Sequence, residues 1–159
     1  MGAVPATAYL ALCAWSLLLA MIDLRIRRLP NALTLPGAIV IVAVATLGGR
    51  GAVAAAGAAL LAVPYLLVHI VGPAACGAGD VKLALGTGAA AACGGAQCWT
   101  WAALGAPLLT AAAAAALLIR RRVVRGPRAG ARHGPRAPVT VPHGPSMCLA
   151  TLVALWPAW

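Results

Sequence analysis

Apolar residues run along this chain in stretches too long for strands, cut by short polar or Gly/Pro-rich breaks. Six such segments can be read, at about 4–22, 33–47, 52–72, 82–97, 99–119 and 145–159. The first, third and fifth approach the roughly 20 residues a helix needs to cross a bilayer. The second, fourth and sixth are shorter, so they must draw on flanking residues, thin the bilayer or cross it only in part. Gly86, Gly88, Gly94 and Gly95 dilute the fourth. No segment alternates apolar and polar residues as barrel strands do, and helices are the other way to satisfy backbone groups in hydrocarbon. The pattern predicts an all-α fold: a polytopic membrane helix bundle of about six transmembrane segments, in a single membrane-embedded domain over residues 1–159.

Local chemistry predicts where the segments stop. Pro30 pushes Leu29 out of the helical region, and the Asn31 side chain is placed to cap the next helix. Gly48-Gly49-Arg50-Gly51 reads as a turn, and Gly72-Pro73 ends the third segment. From about 120 to 144 the chain is basic and rich in Pro and Gly, which predicts a loop.

Composition sharpens this picture. The chain is 63% hydrophobic and 9% charged, against about a quarter charged in soluble domains, so too little polar side chain exists to cover a water-facing surface. Met1 to Ala20 contains no Lys or Arg, so the basic start of a cleavable signal is missing and a retained first helix is expected. The five cysteines, Cys13, Cys76, Cys93, Cys98 and Cys148, include no C-x-x-C pair and read mainly as small apolar filler. Neither a metal nor a cofactor is expected.

The charge is lopsided. With six spans, Arg25, Arg27, Arg28, Lys82 and the arginines from Arg120 to Arg136 fall on one side, eleven of the twelve basic residues, and only Arg50 falls on the other. The positive-inside rule puts the eleven in the cytoplasm and the N-terminus outside, in a multi-pass protein of the cytoplasmic membrane. The net charge of +10 does not point to nucleic acid, because the basic loop has no interleaved aromatics to stack on bases. Anionic lipid is the better partner for it.

Only two residues are acidic, Asp23 and Asp80, and there is no Glu. A carboxylate at membrane depth costs roughly 2.5–3.5 kcal/mol on insertion scales, so retained ones usually serve a purpose. Asp23 closes the first segment and Asp80 opens the fourth. Six spans put both at the cytoplasmic interface, on different helices. Position alone leaves two readings: anchors paired with Arg27 and Lys82, or a reactive pair. The surroundings favour the second. Asp80 ends Gly77-Ala78-Gly79-Asp80, where Gly77 and Gly79 let another backbone approach, and Asp23 precedes Arg25-Ile26-Arg27-Arg28-Leu29-Pro30-Asn31.

These motifs resemble the prepilin peptidase family, the type IV prepilin leader peptidases with a G-x-G-D aspartic site. The family pattern is an Asp, a basic stretch and Ile-Pro-Asn, then Gly-x-Gly-Asp-Val-Lys-Leu. Here Leu29 stands for Ile, and the second motif reads Gly77-Ala78-Gly79-Asp80-Val81-Lys82-Leu83. A third stretch, Val141-Pro142-His143-Gly144-Pro145-Ser146, resembles the Pro-aromatic-Gly-Pro that precedes the last helix, with His143 where an aromatic is usual. Signal peptide peptidases and presenilins share G-x-G-D but carry Tyr-Asp and Pro-Ala-Leu, whereas Ile22 precedes Asp23 and no Pro-Ala-Leu occurs here. Longer prepilin peptidases add an N-terminal region with a cytoplasmic loop and paired C-x-x-C motifs. Without that region, the short form resembles peptidases of tight-adherence (Flp-type) pilus systems, and the resemblance does not extend to methylation of the new N-terminus.

The resemblance implies an aspartic endopeptidase that removes the leader from type IV pilin-like or pseudopilin precursors at the cytoplasmic membrane face. It places catalysis on Asp23 and Asp80, with Gly77, Gly79, Lys82, Pro30 and Asn31 shaping the site. Two adjacent carboxyls share a proton and activate water between them. Asp80 near a helix N-terminus is expected to be the base, and Asp23 near a helix C-terminus the acid. Lys82 is expected to orient Asp80 or reach the headgroups, His69 to make a helix-end contact, and His133 and His143 to be loop residues without partners. The tryptophans Trp15, Trp99, Trp101, Trp156 and Trp159 are expected to include interface anchors, mostly on the outer side. The rival readings are a small transporter or ion-relay subunit, whose paired acids would sit nearer mid-membrane, and a catalytically inactive homologue.

Overall fold

A computed structural model describes residues 6–74, 76–125 and 141–156. Among them the chain forms six helices and no strand: α1 (Ala6–Ile26), α2 (Asn31–Leu47), α3 (Gly51–Val71), α4 (Ala78–Cys93), α5 (Ala96–Arg125) and α6 (Gly144–Leu155). The all-α bundle and the order of its elements are as the apolar pattern predicts. Ala6–Ile26, Gly51–Val71 and Ala96–Arg121 are long and apolar enough to cross a membrane, and α2 and α6 are shorter apolar helices. Leu10, Leu17, Leu60, Ile70, Leu108 and Val153 point their side chains outward, as a surface bathed in lipid requires.

The weakest segment in the sequence is the centre of the molecule. Helix α4 packs against α2, α3, α5 and α6, and nine of its sixteen residues are buried. Its position explains its composition. A helix ringed by other helices has no lipid face to cover, and close neighbours favour Ala and Gly over larger apolar side chains. The approach to α3 is the tightest: a Cβ on Gly57 would stand 2.3 Å from Ala92 Cβ and 2.7 Å from the Gly88 carbonyl oxygen. Helix α1 lies mainly against α6 and touches α2 only lightly.

Polar side-chain tips tie the helices together through backbone carbonyls. Trp15 Nε1 donates to Leu33 O (3.0 Å), Trp99 Nε1 to Gly57 O (3.1 Å) and the Tyr9 hydroxyl to Leu152 O (3.1 Å). Arg50, the cation expected alone on the outer side, donates to the Cys93 carbonyl. Trp15 and Trp99 are therefore internal struts rather than interface anchors, while Trp101 and Trp156 are exposed. Trp159 lies outside the described residues.

Two boundaries differ from expectation. Helix α5 continues through Arg125 into the stretch read as loop, because Leu, Ile, Val and Arg sustain a helix and no breaker occurs before Gly126-Pro127. Cations in that last turn also suit the helix dipole. The rest of the expected loop, with Arg128, Arg132, His133 and Arg136, lies among residues 126–140, outside those described. Asn31 does not cap α2: Pro30 holds the cap position with no side-chain cap bond, and Asn31 has another partner.

Candidate active site

Ser16, Leu19 and Asp23 are the buried residues of α1. Their spacing puts them on one face, two helical turns in length, and that face looks into the bundle. Asp23 is only 6% exposed. Its Oδ2 accepts from the Gly144 N–H at 3.1 Å, and Gly144 is the first residue of α6. Gly is needed there because a Cβ would stand 2.7 Å from that same Oδ2.

Asp80 sits in the first turn of α4. Its Oδ2 accepts from the Gly77 N–H at 3.1 Å, the carboxylate half of a capping box. Each aspartate thus sits at the start of a helix whose free N–H groups favour negative charge. This removes the helix-end argument for the expected asymmetry. Asp23 belongs to the C-terminal end of its own helix, but its carboxylate lies at the N-terminal end of α6, so helix ends do not distinguish acid from base. The two carboxyls, far apart in sequence, lie within electrostatic range of one another, and the charge of Arg27 also reaches Asp23.

The remaining expected residues cluster around α4. Arg27 takes φ 53° and turns the chain out of α1, after which Leu29 is buried. A Cβ on Gly79 would meet Leu29 Cβ at 3.1 Å, so the neighbour that Gly79 admits in this structure is the Leu29-Pro30-Asn31 strap. Lys82 Nζ donates to Asn31 Oδ1 at 2.7 Å and ties the strap to α4. Gly77 contributes its N–H to Asp80. His69 Nδ1 bonds the Cys76 carbonyl at 2.8 Å, the helix-end contact expected of it. Cys76 is buried beside Asp80, and burial first and the Asp80 charge second push its thiol up, away from the reactive thiolate.

Sequence reasoning missed three side chains here. His143 was expected to have no partner, yet its Nε2 lies 2.7 Å from the Tyr65 hydroxyl and its Nδ1 2.6 Å from Thr110 Oγ1. These bonds join the start of α6 to α3 and α5, one residue from the N–H that holds Asp23. The Pro142-His143-Gly144-Pro145 motif was the available signal.

Neither a curated relative nor a solved structure matches the chain significantly. The model of the type IV leader peptidase family matches residues 10–119, a stretch that holds both aspartates, the strap and Tyr65 and stops short of His143. That match spans more than half of the sequence, on a helical bundle with membrane-length apolar helices, and the chain belongs to the type IV leader peptidase family.

Proposed function

We propose that the chain is an intramembrane aspartic endopeptidase that removes the leader from type IV pilin-like precursors at the cytoplasmic face of the membrane. The observation that carries this reading is that the chain's only two acids are each held by a helix-start N–H, with the charge of Asp80 reaching Asp23. Such a dyad holds one proton between two carboxyls. The ionised carboxylate takes a proton from water as its oxygen attacks the scissile carbonyl carbon. The protonated partner delivers its proton to the carbonyl oxygen. When the tetrahedral intermediate collapses, the C–N bond breaks, the leaving nitrogen takes a proton from the dyad, and a hydroxyl of the intermediate gives its proton back to the dyad as the new carboxyl forms. The chemistry requires two carboxyls and one water.

Gly77 orients Asp80 through its N–H. Gly79, Pro30, Asn31 and Lys82 hold the strap across the start of α4, which positions the helix that carries Asp80. The eleven cations expected on one side support a cytoplasmic position for this end of the bundle, where a precursor's leader would meet it.

The test is co-expression with a pilin-like precursor, following leader removal on a gel, with Asp23→Asn and Asp80→Asn alongside wild type. Each replacement keeps the size of the side chain and removes the shared proton. Wild type is expected to trim the precursor and neither variant to do so. Complete trimming by both variants would falsify the reading and return the acids to an anchoring or ion-relay role.

A further inference from the structure

The bonds around His143 fix its protonation pattern. Thr110 Oγ1 has one hydrogen, which it donates to the Ala106 carbonyl at 3.0 Å. Towards His143 it therefore accepts, and the ring must carry its hydrogen on Nδ1. Burial favours the neutral ring, in which Nε2 then offers a lone pair and takes the Tyr65 O–H. In this neutral form both ring nitrogens are satisfied, and the ring is fastened to α3 and α5 at once. The next residue, Gly144, is buried and points its N–H at Asp23. The charges around this knot are those of Asp23 from α1, which acts on His143, and Asp80 from α4, which acts on Tyr65.

We propose that His143 is a positioning residue: held between Tyr65 and Thr110, it fixes the turn that aims the Gly144 N–H at Asp23 and so sets where that carboxylate faces its partner. Nothing in the reaction passes through the imidazole. Its consequence for cleavage rests on the peptidase reading, whereas its consequence for Gly144 does not. The knot adds a third anchor to a site whose two acids sit on helices with little direct contact, since α1 reaches the rest of the bundle chiefly through α6.

The experiment uses the full chain, isotopically labelled in detergent micelles, with two readouts: amide exchange at Gly144 and turnover of a pilin-like precursor peptide. His143→Phe keeps a ring at this position but removes both bonds. It is expected to speed Gly144 exchange about tenfold, the effect of losing roughly one net hydrogen bond, and to lower kcat by a similar factor with little change in KM. His143→Gln, which has both a donor and an acceptor, is expected to recover most of each loss. Tyr65→Phe, which removes a single oxygen, should reproduce part of the effect without disturbing the turn sterically. Wild-type exchange at Gly144 in both His143→Phe and Tyr65→Phe overturns the proposal, whatever turnover shows. If wild type itself cleaves nothing, the peptidase reading fails and the exchange measurement still decides the role of His143. If His143→Phe loses protection throughout α6, Thr110→Val, which removes one bond from the edge of the knot, decides in its place.

Discussion

Gly144 shows how little space separates function from failure in this site. Its N–H is the bond that holds Asp23, and its missing side chain is the gap into which that carboxylate fits. Gly144→Ala is therefore expected to push the carboxylate out of line while leaving the helices folded. A displacement of about 1 Å at a reacting group can cost about a hundredfold in rate, so leader cleavage by Gly144→Ala should fall by about that factor at near-normal thermal stability. Unchanged cleavage would show that Asp23 does not depend on this bond. His143 gives the site a pH dependence of stability. Burial first lowers its imidazole below the ordinary 6.5, and the Asp23 charge opposes that shift less strongly. Tyr65 from α3 and Thr110 from α5 bond the neutral ring. A group depressed in the folded state favours folding above its unfolded value and loses that contribution as pH falls through its folded value. The melting temperature in detergent should therefore drop as pH is lowered below 6.5, and His143→Phe should flatten the drop. At this scale the sequence was legible where residues were scarce: two acids in the whole chain could hardly be overlooked. It was not legible where a backbone N–H does the holding, since any residue supplies one. Nor was it legible for His143, whose partners lie 78 and 33 positions away.

Among the elements, α4 carries the most information. Long apolar runs announce helices that face lipid, so α1, α3 and α5 were plain in the sequence. Helix α4 faces other helices, and the Gly and Ala residues that weakened its signal are what let α3 pack against it. Gly57 and Gly88 meet at the closest point. Gly57→Val forces methyl groups into the Ala92 side chain and the Gly88 carbonyl. Overpacking of this kind typically costs about 1–3 kcal/mol, and thermal unfolding in detergent should show a clear loss of stability. Stability equal to wild type would mean that α3 and α4 can separate freely. The ends of elements were less legible. Pro30 and Gly72-Pro73 marked boundaries because their effect is local. The Asn31 side chain was misread as a cap because its actual partner, Lys82, lies 51 residues away. Helix α5 overran its apolar stretch because a helix needs neither apolarity nor a membrane to continue, only the absence of a breaker.

For the whole molecule, the positive-inside rule gives a topology that experiment can check directly. Six spans with an external N-terminus put both chain ends outside and residues 126–140 inside. Reporter fusions active only in the cytoplasm should be silent at the C-terminus and active within 126–140. The opposite pattern would invert the bundle and place the aspartates at the outer face. The same count accounts for the acids meeting: two crossings, α2 and α3, separate the end of α1 from the start of α4, so both return to one surface. What the count did not reveal was which helices enclose that surface, because packing order depends on side-chain fit between distant segments.

The brevity of α6 has a consequence for the surrounding lipid. Its twelve residues rise about 18 Å at 1.5 Å each, about 12 Å short of an average hydrocarbon slab. A membrane meets so short an element by dimpling around it, and the dimple would lie over the helix whose first N–H grips Asp23. Dimples let water descend, and every peptide bond cut consumes one molecule of it. Lipid chain length would then govern the supply of a reactant: in vesicles, turnover should slow steadily from dimyristoyl to dierucoyl phosphatidylcholine, and a rate indifferent to that series would mean the water arrives by another path.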